Sequence, residues 1–185
     1  KEATVANNIK PKLGALIVAK PGAIEGQILF AEEEIVKYGF EILAKETILL
    51  TDEQITKFYG GGKDGNEWEK NLGEKISSSC INSGIDILTH FGTTDVQEIG
   101  ALGKKMNENY LKMGKITVLL IGPNRHNERN FFSRLSEAVE HFRFLFCEDT
   151  IEKANKEKRA FKNVFHLTRT PEEFSFQYDV IWSPE

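Results

Sequence analysis

The sequence predicts a domain in which short apolar strands alternate with amphipathic helices. Apolar runs of strand length occur at 13–19 and 116–121, and both are too short to cross a membrane. Apolar residues recur at helical spacing in 25–38 and 94–110. The 185 residues suit one domain with a substantial core, and no internal repeat or low-complexity tract divides the chain.

Composition and charge exclude several classes of protein. Hydrophobic residues make up 40% of the chain and charged residues 28%, which is typical of a globular protein. The net charge of −4 argues against general nucleic-acid binding, because proteins that bind the phosphate backbone are usually basic. Cys80 and Cys147 are too few for a disulfide framework and have no zinc-like spacing. With no signal peptide before the first strand, we expect a cytoplasmic protein without a membrane span.

The first third of the chain has clear start and stop signals. A Thr-Asp-Glu-Gln capping box at 51–54 opens a short helix. Gly39 ends the helix before it, since glycine readily takes the left-handed conformation that closes a helix. The predicted order is strand, helix, strand and short helix, at 13–19, 25–38, 40–50 and 51–59.

The segment at about 60–93 is predicted to be a helical insertion. Its apolar residues recur every four positions, as Trp68, Leu72, Ile76 and Cys80, which predicts one apolar helix face. The glycine-rich start at 60–66 lacks the Gly-Lys-Ser/Thr ending of a phosphate-binding loop, so we interpret it as a linker. His90 lies alone in the insertion and is expected to be structural or on the surface.

The second half repeats the alternation of helix and strand. A capping box at Thr94 opens a helix, and the strand at 116–121 and a turn at 122–124 follow it. A further helix is expected around 131–139, and the apolar residues at 141–146 make the next stretch strand-like.

His166 has the most distinctive surroundings. The run 164–167 predicts a brief buried strand, and Thr170-Pro171 with two following Glu residues predicts the start of a helix. Cations lie nearby in sequence, at Lys158, Arg159, Lys162 and Arg169. A neutral imidazole is a nucleophile near pH 7, and the cations suit a phosphate-bearing partner. The alternative is a core histidine beside a solvated basic face.

Several motifs resemble those of nucleoside diphosphate kinases. Asn163-Val164-Phe165-His166, followed by Thr168 and Pro171-Glu172-Glu173, resembles the active-site segment of that family. Lys20-Pro21-Gly22-Ala23-Ile24 is similar to its Lys-Pro-Asp-Gly-Val motif, with Gly22 where the Asp stands and a loop one residue shorter. The insertion resembles that of a longer subgroup, and the likeness extends from Leu13 to Trp182.

The resemblance implies an α+β fold. It is a ferredoxin-like βαββαβ sandwich with a four-stranded antiparallel sheet, helices on one face and a helical insertion at about 60–93, all within a single domain at 1–185. The family forms homo-oligomers, so a homo-oligomer is expected here.

The resemblance also implies a reaction. The γ-phosphate of a nucleoside triphosphate would pass to a nucleoside diphosphate by a ping-pong mechanism through phosphohistidine at His166. Expected partners are ATP, GTP, ADP and GDP, with Mg²⁺ bridging the phosphates and with low base selectivity. The implied phosphate contacts come from Lys20, Arg129 and Arg143. Tyr59 would support the transferred group, and Asn163 would hydrogen-bond the sugar hydroxyl. Thr168 and Gln177 would belong to the shell that supports the His166 ring. Arg125 and Arg134 are alternatives to Arg129.

Departures from the family pattern leave two other functions open. Where the family has an Asp, a Gly-Asp pair, an Asp after the hydroxyl residue and a Glu that orients the imidazole, this chain has Gly22, Phe144-Leu145, Arg169 and Gln177. A nucleotide-binding relative with reduced or no catalytic activity would fit these changes. A non-enzymatic assembly module, with the insertion contacting a partner through Trp68, Ile76 and Cys80, is the third possibility.

Overall fold

The structure is a computed structural model that describes residues 10–59, 65–143, 145 and 147–182. The elements in chain order are β1 (Ala15–Ala19), α1 (Glu25–Lys37), β2 (Glu41–Ile48), α2 (Asp52–Phe58), α3 (Gly65–Asn82), α4 (Ile87–Phe91), α5 (Val96–Leu111), β3 (Ile116–Gly122), α6 (Phe131–Arg143), α7 (Ile151–Lys156), β4 (Phe165–Leu167) and α8 (Pro171–Trp182). A 3₁₀ turn at Glu128–Asn130 leads into α6. Most of the predicted N-terminal arm and of the glycine-rich loop lies outside the described residues. Within them, no helix combines the length and hydrophobicity that a membrane span requires.

The four strands form one antiparallel sheet in the order β2-β3-β1-β4. β1 lies in the interior of the sheet, where Ala15 pairs with Ile121 and Ala19 pairs with Thr117 of β3. On its other side, Val18 of β1 lies opposite His166 of β4. The predicted α+β fold, with a four-stranded antiparallel sheet of βαββαβ order and a helical insertion, is confirmed.

Helices cover both faces of the sheet, so the prediction of helices on one face was wrong. Ile17 of β1 faces a core that includes Ile35 of α1 and Phe142 of α6. Its neighbour Leu16 faces a second core, built with α2 and α8, that includes Tyr178. The reason is visible in the sequence, since β1 is an uninterrupted apolar run and β3 is apolar apart from Thr117. Strands of that kind present apolar side chains on both faces, and both faces must then be buried.

The capping signals start helices where the sequence predicts them. Thr51 Oγ1 accepts a hydrogen bond from the Gln54 amide at 3.1 Å, and Gln54 Oε1 accepts one from the Thr51 amide at 2.9 Å. Thr170 Oγ1 accepts from the Glu173 amide at 3.1 Å, which opens α8. The start of α5 is one residue later than expected, because Asp95 rather than Thr94 is its N-cap.

The prediction of a strand-like stretch at 141–146 was wrong for 141–143, which lie in the last turn of α6. The apolar residue Phe142 continues the helical spacing of Leu135, Ala138 and Val139, and all four are buried. Phe144 and Phe146 lie outside the described residues. The short helix α7 was not predicted, although Thr150 Oγ1 accepts from the Lys153 amide at 3.1 Å and gives it an N-cap.

The insertion packs against helix α5 of the same chain. Its helix α3 packs along α5 so closely that glycine is required where the two helices cross. A Cβ placed on Gly100 would lie 1.8 Å from the carbonyl oxygen of Glu69, and one on Gly73 would lie 1.8 Å from that of Val96. Side chains on the apolar face of α3 therefore pack inside this chain or line its cavity, and Cys80 is fully buried. This face is not an exposed partner site.

Replacing Gly100 with Ala is expected to destabilise the protein by about 1–3 kcal/mol, because the new methyl group forces two backbones apart. The matched control is Gly26→Ala in α1, where a new Cβ meets nothing within 4 Å. Alanine favours a helix over glycine by up to about 1 kcal/mol, so this control should be neutral or stabilising. Urea denaturation of both variants measures the difference. Equal stability of the two would mean that α3 and α5 are not in close contact.

Candidate active site

A cavity of about 1020 Å³ opens at the end of the sheet where β1 finishes and β4 begins. The sheet side of the cavity carries Lys20, Asn163 and His166. Helices α3, α5 and α7 also contribute lining residues, so the insertion is part of the same site. The cavity is lined by both cationic and aromatic side chains, a combination that suits a nucleotide or another aromatic phosphate.

His166 is largely enclosed in this cavity, with its side chain 17% exposed. Burial, and after it the nearby charge of Lys20, lower the pKa of His166 from 6.5 to about 3. The hydrogen bond with Gln177 opposes the shift, while Arg143 and Arg169 add to it. The imidazole is therefore neutral near pH 7 and keeps a free lone pair on one ring nitrogen.

The surroundings of Gln177 determine which ring nitrogen carries the hydrogen. The Gln177 side-chain nitrogen donates to the Phe58 carbonyl at 3.5 Å and to Glu173 Oε1 at 3.4 Å. Its Oε1 lies 3.1 Å from His166 Nε2 and can only accept. Nε2 must therefore be protonated, and Nδ1 carries the lone pair that can act as a nucleophile.

A carboxylate lies beside the same ring nitrogen. Glu173 Oε1 is 3.5 Å from His166 Nε2, and Glu173 Oε2 accepts from the Arg169 amide at 3.4 Å. Glu173 and Gln177 are four residues apart on α8, so they share one face of that helix. Burial raises the pKa of Glu173.

Lys20 follows β1 and is almost entirely buried. Its amide donates to the Val164 carbonyl at 2.8 Å, which extends the pairing of β1 with the chain just before β4. Its Nζ donates to Asn163 Oδ1 at 2.5 Å and lies 5.3 Å from the centre of the Tyr110 ring. Burial, and after it the charge of Arg143, lower the pKa of Lys20 to about 7.

Two arginines add positive charge to the cavity. Arg143 reaches it from the last turn of α6, and Arg169 reaches it from the turn before α8. Glu140 lies between them, 3.6 Å from Arg143 and 3.5 Å from Arg169. Burial and the charge of Arg169 lower the pKa of Arg143, but a guanidinium remains charged at neutral pH.

Aromatic rings connect the insertion to His166. The Tyr59 ring stacks on Trp68 of α3, with centroids 6.0 Å apart, and meets the His166 ring edge-on at 5.7 Å. Phe58 also packs against His166 at 5.3 Å. Burial raises the pKa of Tyr59, so its hydroxyl remains protonated and can donate a hydrogen bond.

Most of the residues that the resemblance singled out come together. The cavity is lined by Lys20, Tyr59, Arg143, Asn163, His166 and Gln177. Thr168 is fully buried, and its Oγ1 accepts from the Leu16 amide at 2.8 Å. It therefore fixes β4 against β1 and makes no hydrogen bond to His166 within the described part of the chain.

The structure does not bring Arg129 or its alternatives Arg125 and Arg134 to the cavity. All three are exposed, with Arg125 before, Arg129 within and Arg134 after the 3₁₀ turn that follows β3. β3 begins beside the site. Because it is antiparallel to β1, it finishes at the opposite end of the sheet. α6 then runs back, and only its C-terminal residue Arg143 reaches the cavity.

Several cavity residues were not assigned a role in the reaction from the sequence, among them Trp68, Arg169 and Glu173. Trp68 was assigned to the apolar face of the insertion helix, either packed on the domain or contacting a partner. Arg169 was named among the cations near His166 and as a departure from the family motif. Glu173 was identified only as part of a helix start. Its i, i+4 relation to Gln177 was the signal that placed both side chains on the face next to His166.

Comparisons with known proteins agree with this geometry. No protein-family model matches the chain. A nucleoside diphosphate kinase of Pyrobaculum aerophilum is 28% identical over 167 residues, which cover 85% of this chain and 88% of that protein.

Solved structures show the same fold. The crystal structure of an NDP kinase from Pyrobaculum aerophilum superposes with a TM-score of 0.75 at 23% identity, over 90% of this chain and 93% of that one. A nucleoside diphosphate kinase from Borrelia burgdorferi, a transition-state mimic with bound vanadate and ADP, has a TM-score of 0.54 at 11% identity and covers 91% and 85% of the two chains. The resemblance predicted from the sequence is thereby confirmed: the chain is similar to nucleoside diphosphate kinases over most of its length and has their fold.

Proposed function

We propose that this chain is a nucleoside diphosphate kinase that works by a ping-pong mechanism through phosphohistidine at His166. One observation supports the proposal most strongly. A neutral imidazole, held as the Nε2–H tautomer by Gln177, faces a large cavity that also presents Lys20 and Arg143. That arrangement provides a nucleophile and two positive charges for the phosphates of a nucleotide.

In the first half-reaction, the lone pair of His166 Nδ1 attacks the γ-phosphorus of a nucleoside triphosphate. The bond from that phosphorus to the β–γ bridging oxygen breaks, and the electron pair leaves with the nucleoside diphosphate. In the second half, a different nucleoside diphosphate takes the phosphoryl group from His166. Lys20 and Arg143 would stabilise the charge on the phosphate oxygens throughout.

The other cavity residues have positioning roles in this proposal. Tyr59, held against His166 and Trp68, would donate its hydroxyl to the transferred group. Asn163, which accepts a hydrogen bond from Lys20, would contact the sugar hydroxyl. The substrates would be ATP, GTP, ADP and GDP. Mg²⁺ brought by the nucleotide would supply further charge neutralisation.

A specific observation favours a second candidate, a nucleotide-binding relative with reduced or no activity. The group closest to His166 Nε2 is the neutral amide of Gln177, where the resemblance leads us to expect a carboxylate. An amide orients the ring but carries no charge to balance an imidazolium.

Incubation with γ-labelled ATP separates the two candidates. We expect a label on the protein that is labile in acid and stable in alkali, as phosphohistidine is. Addition of GDP should then release the label as GTP. If ATP stabilises the protein in a thermal-shift assay but no label is transferred, the kinase proposal is wrong and the second candidate holds.

A further inference from the structure

Glu173 occupies a position from which it can act on His166. Its Oε1 is 3.5 Å from His166 Nε2 and 3.4 Å from the Gln177 side-chain nitrogen. The three side chains therefore form one cluster around a single N–H group. The carboxylate is two-thirds buried, with its side chain 33% exposed, so its charge is only partly screened by solvent.

Phosphorylation changes the charge of the ring that this cluster surrounds. When Nδ1 forms a bond to phosphorus, the ring keeps the hydrogen on Nε2 and becomes a cation. An amide oxygen can accept the Nε2–H hydrogen bond but cannot balance that charge. A carboxylate at the same nitrogen can, and hydrogen bonds between charged groups are roughly twice as strong as neutral ones.

We propose that Glu173 is the counter-charge for His166 during phosphoryl transfer, while Gln177 fixes the ring tautomer. The inference rests on the proposed kinase function. Glu173 is a positioning residue, since it acts through the imidazole. The two tasks of holding and neutralising the ring are thus divided between adjacent turns of α8.

A purely structural role for Glu173 must be separated from this one. Glu173 Oε2 accepts from the Arg169 amide at 3.4 Å, next to the Thr170 cap, and so contributes to the start of α8. Glutamine keeps an oxygen that can accept this bond but removes the charge. The variant Glu173→Gln therefore tests the charge and spares the cap.

The experiment is single-turnover labelling by γ-labelled ATP in Glu173→Gln. We expect the rate of histidine phosphorylation to fall about tenfold, because a charged hydrogen bond to the ring becomes a neutral one. The Kd for ATP should be unchanged. The matched control is Asp179→Asn, which removes an exposed carboxylate of the same helix, bonded to Lys10, and should keep the wild-type rate.

A swapped variant provides the rescue. Glu173→Gln combined with Gln177→Glu returns a carboxylate to the ring from the next turn, and most of the lost rate should return. A wild-type rate in Glu173→Gln overturns the inference. So does a slow Glu173→Gln variant that the swap fails to rescue, since its defect would then be structural.

Failure of the kinase proposal can be told apart from failure of this inference. Phosphoramidate is a small phosphoryl donor that needs no nucleotide site, so it is used in parallel with ATP. If ATP labels the wild type and Glu173→Gln at the same rate, the kinase proposal stands and the role of Glu173 is wrong. If only phosphoramidate labels the wild type, and labels Glu173→Gln more slowly, the kinase proposal fails and the role of Glu173 stands. No label from either donor overturns both.

Discussion

Replacing His166 with Gln is expected to abolish phosphoryl transfer, with a loss on the order of 10⁴-fold or more, because no other imidazole is present among the described residues that line the cavity. The fold should be retained. Glutamine is similar in size and its amide can still donate to Gln177, which accepts from His166 in the wild type. The affinity for ATP should also be retained, because Lys20 and Arg143 remain. Labelling by γ-labelled ATP and thermal shift measure the two properties separately.

The matched control is His126→Gln. His126 is exposed in the turn after β3, at the end of the sheet opposite the site. This variant should therefore transfer phosphate at the wild-type rate. Acid-labile label that persists on the His166 variant would remove this residue from the mechanism. Loss of both label and ATP binding would show that His166 also maintains the cavity.

The parts of the fold that were predicted correctly depend on signals within a few residues of each other. The capping box at Thr51 and the Thr170-Pro171 start of α8 are local hydrogen-bond patterns, and each starts its helix. The apolar runs of β1 and β3 identify strands in the same way. The segment ending at Arg143 was misread because an apolar stretch of five or six residues fits a strand as well as the end of a helix.

The site was predicted where its residues are close in sequence or match a motif, as with Asn163, His166 and Lys20. Arg129 was assigned from its place early in a helix, without knowledge of which end of the sheet that helix start occupies. The antiparallel register of β1 and β3 decides that question, and it brings Arg143 to the cavity instead. Contacts across helices, such as Tyr59 with Trp68, depend on how the insertion packs and could not be derived from spacing.

Replacing Lys20 with Met is expected to slow phosphoryl transfer by roughly 100- to 1000-fold, the loss that follows removal of one preorganised charge in an active site. Methionine fills a similar volume, so the buried position next to Asn163 and Tyr110 should remain packed. Labelling by γ-labelled ATP measures the rate. The matched control is Lys12→Met, which removes the same charge from an exposed position before β1 and should leave the rate unchanged.

The lowered pKa of Lys20 also predicts how stability depends on pH. Its folded pKa of about 7 lies below the ordinary value of 10.5, so the unfolded chain binds more protons between these two values. The contribution of Lys20 to the free energy of unfolding therefore rises with pH from about 7 to 10.5. Lys20→Met should lack this rise, and at pH 7 or below it should be at least as stable as the wild type. Urea denaturation at several pH values compares the two proteins.

Nucleotide binding should reverse the shift, because phosphate oxygens beside Nζ favour the charged ammonium. At pH 8 much of Lys20 is neutral in the free protein, whereas the nucleotide phosphates are already fully ionised. Binding of ATP should therefore take up protons, which calorimetry detects as a binding enthalpy that varies with the ionisation enthalpy of the buffer. Lys20→Met should show no such variation, while Lys12→Met should behave as the wild type. Equal proton uptake by all three proteins would place the titrating group elsewhere and would mean that Lys20 does not contact the phosphates.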